Sequence, residues 1–315
     1  MASNVLVTGA SGFVGAALIP RLQRDGHDVR AFGRAAGRVR DAVPVVEGDA
    51  VTGAGLDAAL EDVDCAYFLI HSMETVGRPA PSAEAVPSGD FAERDRRAAR
   101  AFAEAARRAG VRRVVYLGGL VPADAPPSPH LGSRLEVERV LLDAAPEAVA
   151  FRASIVIAAA SRSFRFLVRL VERLPVLALP AWREHRTQPI DGRDVIEFLA
   201  RAAAAPGLAG RSLDIAGPDV VSYADMIERI RDAMVVGRPA LRLGLEATPV
   251  ASRVAAAIAG EDHALIGPLM EGLSHDLLPR DDAAAELLGV RLHTFDAAVE
   301  RALRDWEAAE PLAAR

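Results

Sequence analysis

The sequence contains no lysine and only one cysteine, and these absences exclude several kinds of chemistry. All 37 basic residues are arginine. A Schiff-base lysine, a phosphate-loop lysine and a lysine-activated nucleophile are therefore excluded. The single thiol of Cys65 excludes a disulfide within the chain and metal sites built from several cysteines. The Ala- and Arg-rich composition without lysine can also reflect a GC-rich genome and not selection on function.

Long apolar runs and excess positive charge are also missing. No apolar run reaches the roughly 18 residues that a membrane span needs. The net charge of −6 disfavours nucleic acids and anionic membranes as partners. No basic segment precedes the first apolar stretch, so we expect no signal peptide and a cytoplasmic protein. No metal-ligand pattern is present, and we expect no metal site.

The first half of the chain alternates between short apolar runs and helix patterns. Strands are predicted at 4–8, 29–32, 43–47, 64–70, 111–117 and 149–157, and helices at 13–25, 90–109 and 128–145. Capping residues support the last two helices: Asp90 with Glu93, and Ser128 before Pro129. The alternation predicts an α/β fold, a doubly wound parallel Rossmann sheet in residues 1–160.

The pattern changes after residue 160, where helices dominate. Helices are predicted at 191–205, 223–234, 249–259, 282–288 and 295–306, with short strands near 212–215 and 241–243. Residues 161–315 are therefore expected to form a smaller, mostly helical C-terminal substrate domain. The segment 191–205 either belongs to it or folds back onto the first domain. The loop 75–89 is either a lid or disordered.

A glycine-rich turn follows the first predicted strand and precedes the first helix. Gly9 allows a tight turn, Gly12 lets the backbone approach a pyrophosphate, and Gly15 lets helix and strand pack closely. The helix N-terminus offers free N–H groups to the anion. The turn predicts a dinucleotide site made by Gly9, Ala10, Ser11, Gly12, Phe13 and Gly15. The alternative is a tight turn without a ligand.

The residues after the second strand indicate which dinucleotide binds. An acid there would hold the ribose 2′-hydroxyl of NAD, whereas an arginine accommodates the 2′-phosphate of NADP. No acid lies between Val29 and Arg40, and Arg34 stands just past the strand. We therefore expect NADP(H) to be preferred over NAD(H), unless Arg34 is simply solvated. Asp49 either meets the adenine amino group or caps the next turn.

Seven segments resemble the extended and atypical short-chain dehydrogenases/reductases, especially NmrA-like members. They are TGASGFVG at 8–15, YFLIHSM at 67–73, VRRVVYLGGL at 111–120, HLGSRLEVE at 130–138, FRASIVI at 151–157, TQPIDGRDV at 187–195 and LDIAGPDVVSYADM at 213–226. The resemblance implies a Rossmann domain, bound NAD(P) and a variable C-terminal substrate domain. It also usually implies a catalytic Tyr-x-x-x-Lys with a serine or threonine upstream.

The sequence departs from that catalytic pattern at each position. His130 and Arg134 occupy the Tyr-x-x-x-Lys slot, and Gly118-Gly119 stands where the serine is expected. The i, i+4 spacing still places both side chains on one helix face. His130 is predicted either as a proton donor or as a surface residue near the helix cap. Arg134 is predicted to contact the cofactor, as an anchor for the ribose or as a structural clamp.

Other site candidates lie at the end of predicted strand four and within predicted strand six. Ile70 and His71 lie at the carboxyl edge, where ligands bind in this fold. His71 lines the cofactor site, reaches the substrate or merely caps the strand. Ser154 faces the nicotinamide or is a small packing residue. The polar residues 185–188 line the substrate pocket or form a solvated loop.

Two functions remain open. The first is an NADPH-dependent oxidoreductase acting on a small carbonyl, enone or related metabolite. The second is a non-catalytic NADP(H) sensor, which the missing Tyr, Lys and Ser favour. The C-terminal region favours the enzyme because it supplies walls for a pocket. Apolar helices after residue 249 would suit a homodimer interface.

Overall fold

The centre of the molecule is a parallel β-sheet covered by helices. The computed structural model describes residues 2–39, 42–71, 91–242, 272–310 and 312. The strands are β1 Asn4–Thr8, β2 Asp28–Gly33, β3 Val45–Glu47, β4 Cys65–Phe68, β5 Arg113–Gly119, β6 Val149–Ala153, β7 Val156–Ile157, β8 Leu177–Leu179, β9 Arg186–Thr187, β10 Ile190–Asp191, β11 Arg211–Ile215, β12 Val221–Ser222 and β13 Ala240–Arg242. The helices are α1 Phe13–Arg24, α2 Leu56–Leu60, α3 Phe91–Arg108, α4 Pro129–Leu142, α5 Arg162–Arg173, α6 Gly192–Ala202, α7 Tyr223–Ala233, α8 Ala283–Leu288 and α9 Phe295–Glu307.

The main sheet has seven strands in the order β3-β2-β1-β4-β5-β6-β11, and every neighbouring pair is parallel. Helices α1 and α6 pack on one face, and α2, α3 and α4 pack on the other. Strand β4 is buried along its whole length, as expected for a parallel strand covered on both faces. The predicted doubly wound Rossmann sheet is confirmed. Its strand order reverses between β1 and β4, where ligands bind in such folds.

Helix α6 folds back onto the main sheet. The Tyr67 hydroxyl donates a hydrogen bond to the carbonyl of Leu199 at 2.7 Å. The Arg113 guanidinium donates to the carbonyl of Ala202 at 2.5 Å. Strand β11 then completes the sheet beside β6. The main sheet and its helices therefore include residues well beyond 160, because the chain leaves the sheet after β6 and later returns to it.

The other elements that follow β6, here called the second region, have their own apolar core and form several short strand pairs. Its core joins α5, α7 and α9 around Phe164, Ile230 and Trp306. Strand β7 pairs with β10, β9 with β12, and β8 with β13. Strands of two or three residues are too short to show a periodic pattern, so the sequence did not predict most of them. The helical character expected for this region is confirmed.

Several predicted boundaries differ from the structure. The sixth predicted strand, 149–157, is broken between β6 and β7, and the Ser154 N–H donates to the carbonyl of Ile215. Helix α5 was not predicted, although its buried residues Phe164, Val168 and Val171 recur at helical spacing. The loop 75–89 and the helix predicted at 249–259 lie outside the described residues. No helix among the described residues is long and apolar enough to cross a membrane.

Candidate active site

The glycine turn between β1 and α1 lies against the end of β4. Gly9 has a φ of +68°, and a Cβ there would lie 2.6 Å from the carbonyl oxygen of Leu69 and 3.3 Å from the nitrogen of Ile70. A Cβ on Gly15 would lie 2.5 Å from the carbonyl oxygen of Gly9. Both positions therefore require glycine, because a Cβ would clash at each of them. At Gly9 the positive φ is a second reason.

The turn leaves the N-terminus of α1 open. Gly12 is the N-cap and has no side chain to cap the helix, and no acid stands in the first turn. Ala10 is buried beneath the turn, while Ser11 is exposed and Phe13 begins the helix. Free N–H groups at such an N-terminus bind phosphate. The close-packed glycines and this uncapped terminus fit the pyrophosphate of a dinucleotide.

A buried threonine connects the turn to the next part of the site. The Thr8 hydroxyl donates to the carbonyl of Tyr67 at 2.9 Å and accepts from the N–H of Leu69 at 3.2 Å. The sequence did not single out Thr8. Its two hydrogen bonds hold the carboxyl ends of β1 and β4 at a fixed separation.

The ends of β2 and β3 carry the residues expected near the adenosine ribose. Arg34 directly follows β2 and its side chain is exposed. Asp49 accepts a hydrogen bond from the N–H of Val51 at 2.8 Å, so it does cap the next turn. Glu47, which the sequence did not suggest, accepts from the N–H of Ala36 at 2.7 Å. An acid from β3 thus reaches the turn that carries Arg34.

A cluster of charged and aromatic side chains lies where β4 ends and α4 begins. Ser128 caps α4 as predicted, accepting from the N–H of Leu131 at 3.4 Å. One turn into the helix, a guanidinium nitrogen of Arg134 contacts Nδ1 of His71. The His130 ring lies 6.2 Å from that of Phe91. The fold thus brings together all three predicted catalytic residues.

Both histidines in the cluster are held uncharged. Burial and the positive charge of Arg134 lower the pKa of His71 well below its ordinary value of 6.5. The same two causes lower the pKa of His130 to about 3. An imidazolium proton donor at neutral pH is therefore not supported for either residue. His130 as the proton donor stays a prediction without support from its electrostatics.

Tyr116 is a neighbour of the cluster that the sequence did not identify as part of it. Its ring packs edge-on against His71 at 6.5 Å, and its hydroxyl donates to the backbone carbonyl of Arg134 at 3.4 Å. Burial raises its pKa to about 12. A Cβ on Gly118 would come within 2.9 Å of its ring, so the tyrosine occupies the space that the expected serine would need. Tyr116 supports Arg134 and does not replace the missing catalytic tyrosine.

The second region brings hydroxyl groups to the carboxyl end of β6. Ser154 is buried, and its hydroxyl lies 3.2 Å from that of Thr187 in β9. The hydroxyl of Tyr223 is buried near Thr187 but makes no hydrogen bond of normal geometry within the described residues. Gln188 donates to the carbonyl of Gly217 at 2.6 Å, and Arg186 pairs with Asp276. Of the predicted cluster 185–188, Thr187 is the residue whose side chain lies within hydrogen-bonding distance of Ser154.

Metal and thiol chemistry find no support in the part of the chain that is described. No group of three or more His, Cys, Asp or Glu residues there is arranged to hold a metal ion. Cys65 is fully buried in β4, and burial raises the pKa of its thiol to about 12. It is therefore a packing residue.

Comparison with known proteins agrees with this geometry. Residues 9–155 match a family model described as NAD(P)H-binding. A search of curated proteins found no match. Similar solved structures include gox2253, with a TM-score of 0.73 and 20% identity over 98% of this chain and 99% of that chain. A UDP-glucuronic acid 4-epimerase from Bacillus cereus, solved with UDP-glucuronic acid and NAD, has a TM-score of 0.70 and 16% identity over 96% and 98% of the two chains.

A third neighbour is a short-chain dehydrogenase/reductase superfamily protein from Agrobacterium tumefaciens with bound NAD. Its TM-score is 0.67, with 19% identity over 97% of this chain and 96% of that chain. At these identities the likeness shows the fold. Together with the family match, it agrees with the resemblance to atypical short-chain dehydrogenases/reductases.

Proposed function

We propose, from the premise that residues 9–155 are an NAD(P)H-binding domain of the short-chain dehydrogenase/reductase type, that this chain is an NADPH-dependent oxidoreductase for a small carbonyl or enone metabolite. The observation that carries the proposal is the contact between Arg134 and His71. It lies at the carboxyl edge of the sheet, where the ligand binds in this fold.

The cofactor would be held by backbone at one end and by side chains at the other. The turn from Gly9 to Gly15 would bind the pyrophosphate. Arg34 would attract the 2′-phosphate, which supports a preference for NADPH. Arg134 would donate to the nicotinamide ribose or to the substrate, since a guanidinium offers donors to more than one acceptor. When bound, NADPH supplies the hydride.

The contact with Arg134 determines which nitrogen of His71 carries the proton. An arginine side chain only donates hydrogen bonds, so Nδ1 of His71 must accept and the proton lies on Nε2. His71 therefore presents an N–H donor on its other side. A neutral imidazole donor beside a fixed positive charge stabilises the negative charge that forms on a carbonyl oxygen during reduction. Because both histidines are uncharged, a water molecule would donate the proton to this oxygen, and the hydroxide that remains would pass to the solvent.

The second region would supply the wall of the substrate site. Ser154 and Thr187 join it to the end of β6, beside Gly119 of β5. Pockets at such a junction combine apolar walls with a few polar groups that orient the ligand. The hydroxyls of Ser154, Thr187 and Tyr223 would orient a small polar substrate. The substrate would then lie between the main sheet and the second region.

The test is NADPH consumption with an aldehyde, a cyclic enone and a quinone as probes. Turnover is expected with at least one probe, with a rate that stays flat between about pH 5 and 8 because His71 and His130 stay uncharged over this range. His71→Phe should lower kcat about 100-fold, the typical loss when one oxyanion donor is removed. The matched control is His27→Phe, which makes the same substitution just before β2 at the opposite edge of the sheet.

A non-catalytic NADP(H) sensor is the second candidate, and one observation favours it. The groups around Arg134 that could transfer a proton have pKa values far from 7. The pKa values of His71 and His130 are lowered, and that of Tyr116 is raised. Tight NADPH binding without turnover of any probe would favour the sensor. Turnover that survives His71→Phe unchanged would contradict the role given to His71.

A further inference from the structure

An acidic side chain reaches the turn that carries Arg34. Glu47 is the last residue of β3, and its Oε1 accepts a hydrogen bond from the N–H of Ala36 at 2.7 Å. Arg34 stands two residues before Ala36 in the same turn. No acid lies between Val29 and Arg40 in the sequence, but the parallel pairing of β2 with β3 brings one to this turn.

The position of Glu47 is set by backbone packing. Gly33 is the register partner of Glu47, and the N–H of Gly48 donates to the carbonyl of Gly33 at 3.0 Å. A Cβ on Gly48 would lie 2.6 Å from the ring of Phe32 and 2.1 Å from the carbonyl oxygen of Ala54. The end of β3 is therefore held close against the end of β2. The carboxylate is held at the turn by this packing and by the hydrogen bond to Ala36.

We propose that Glu47 is a specificity-determining residue that limits the preference for NADPH over NADH. The inference rests on the proposed role of Arg34 in attracting the 2′-phosphate. That phosphate carries close to two negative charges at neutral pH, by analogy with other phosphate monoesters. The Glu47 carboxylate opposes this charge, whereas the uncharged 2′-hydroxyl of NADH is not repelled and can donate to a carboxylate. Arg34 thus increases the preference for NADPH over NADH, and Glu47 decreases it.

The experiment is the Glu47→Gln variant, titrated separately with NADPH and NADH while the fluorescence of the nucleotide is followed. Glutamine keeps an oxygen that can accept from Ala36 and removes only the charge. The ratio of the NADH Kd to the NADPH Kd should rise about threefold, the size expected for one exposed charge. High salt should reduce the change, because screening weakens exposed charges.

The matched control is Asp57→Asn, which removes one exposed carboxylate from α2 on the same half of the molecule, where it pairs with Arg108. The ratio should not change in this variant. Arg34→Ala should move the ratio the other way, by about tenfold, since it removes the cation that attracts the 2′-phosphate. Opposite shifts in the two variants support the proposal.

Other outcomes overturn it. An unchanged ratio in Glu47→Gln removes Glu47 from cofactor discrimination. An equal loss of both nucleotides in that variant shows that Glu47 only shapes the turn. An unchanged ratio in Arg34→Ala removes the attraction that Glu47 is proposed to oppose. If the unmodified chain binds neither nucleotide, the proposed function itself fails, which is distinguishable from all of these.

Discussion

The two ends of the candidate site are built in different ways. The turn between β1 and α1 uses backbone atoms and glycines that lie within seven residues, from Gly9 to Gly15. The cluster around Arg134 uses side chains from the end of β4, from β5 and from α4, separated by up to 63 residues. The first offers an anion backbone N–H groups, which every residue except proline has. The second depends on which side chains meet and on how each changes the charge of the others.

The comparison implies that Gly9 and Gly15 in the turn tolerate almost no substitution, whereas the cluster can change its chemistry and still fold. A backbone site is lost when a side chain blocks it, because no rotamer relieves a clash between a Cβ and a carbonyl. A side-chain cluster is retuned when one member is replaced. Substitutions in each part test this difference.

The largest effect is expected at the turn. Gly9→Val puts a β-branched residue at a φ of +68° and a Cβ 2.6 Å from the carbonyl oxygen of Leu69. Strain of this kind costs on the order of 3 kcal/mol or more, and NADPH binding should fall at least about 100-fold. Urea unfolding and nucleotide titration measure the two effects. Gly237→Ala is the control, since an added Cβ there meets nothing within 4 Å; a Gly9→Val variant that binds normally would refute the reading of the turn.

An intermediate effect is expected at Arg134. Arg134→Gln removes the positive charge that lowers the pKa values of His71 and His130, so both pKa values should rise, while burial keeps them below the ordinary value of 6.5. The NADPH Kd should increase about tenfold, the loss of one charge-assisted hydrogen bond. NMR titration of the histidine ring protons gives the pKa values. Histidine pKa values that stay where they were would show that Arg134 does not control their charge.

The smallest effect is on stability in mild acid. The folded protein keeps His130 unprotonated down to about pH 3, whereas the unfolded chain binds a proton below about 6.5. The contribution of His130 to the free energy of unfolding is therefore fully present above pH 6.5 and is lost as the pH decreases toward 3. Between pH 7 and 5 the unmodified chain should lose about 1 kcal/mol more than His130→Asn, allowing for partial solvent screening. Urea unfolding at the two pH values measures the difference, and parallel losses would contradict it.

The sequence was most informative where structure is local. The glycine spacing predicted the turn, because tight turns and helix starts depend on a few consecutive residues. Ser128 followed by Pro129 predicted the start of α4 and so the placement of His130 and Arg134 on one helix. The apolar runs predicted strands β1 to β6, because buried parallel strands are apolar on both faces. The sequence did not indicate the short strands of the second region, whose pairing depends on distant partners.

The sequence identified candidate site residues, but their protonation states depend on the tertiary structure. The sequence named His130 as a candidate proton donor from its residue type and spacing. Burial and the nearby Arg134 change that chemistry, since both disfavour the charged imidazole. Glu47 shows the reverse case, in which a residue absent from the sequence prediction reaches the site through strand pairing.

The sequence by itself determined the fold class and the glycine turn, and the absence of lysine excluded the Tyr-x-x-x-Lys pair that the family resemblance usually implies. These follow from residue types and short spacings, which act through local backbone geometry. The tertiary structure alone decided that α6 and β11 return to the main sheet, that His71 meets Arg134, and that an acid reaches the turn that carries Arg34. These depend on packing and on charges separated by many residues, whose distances no local pattern encodes.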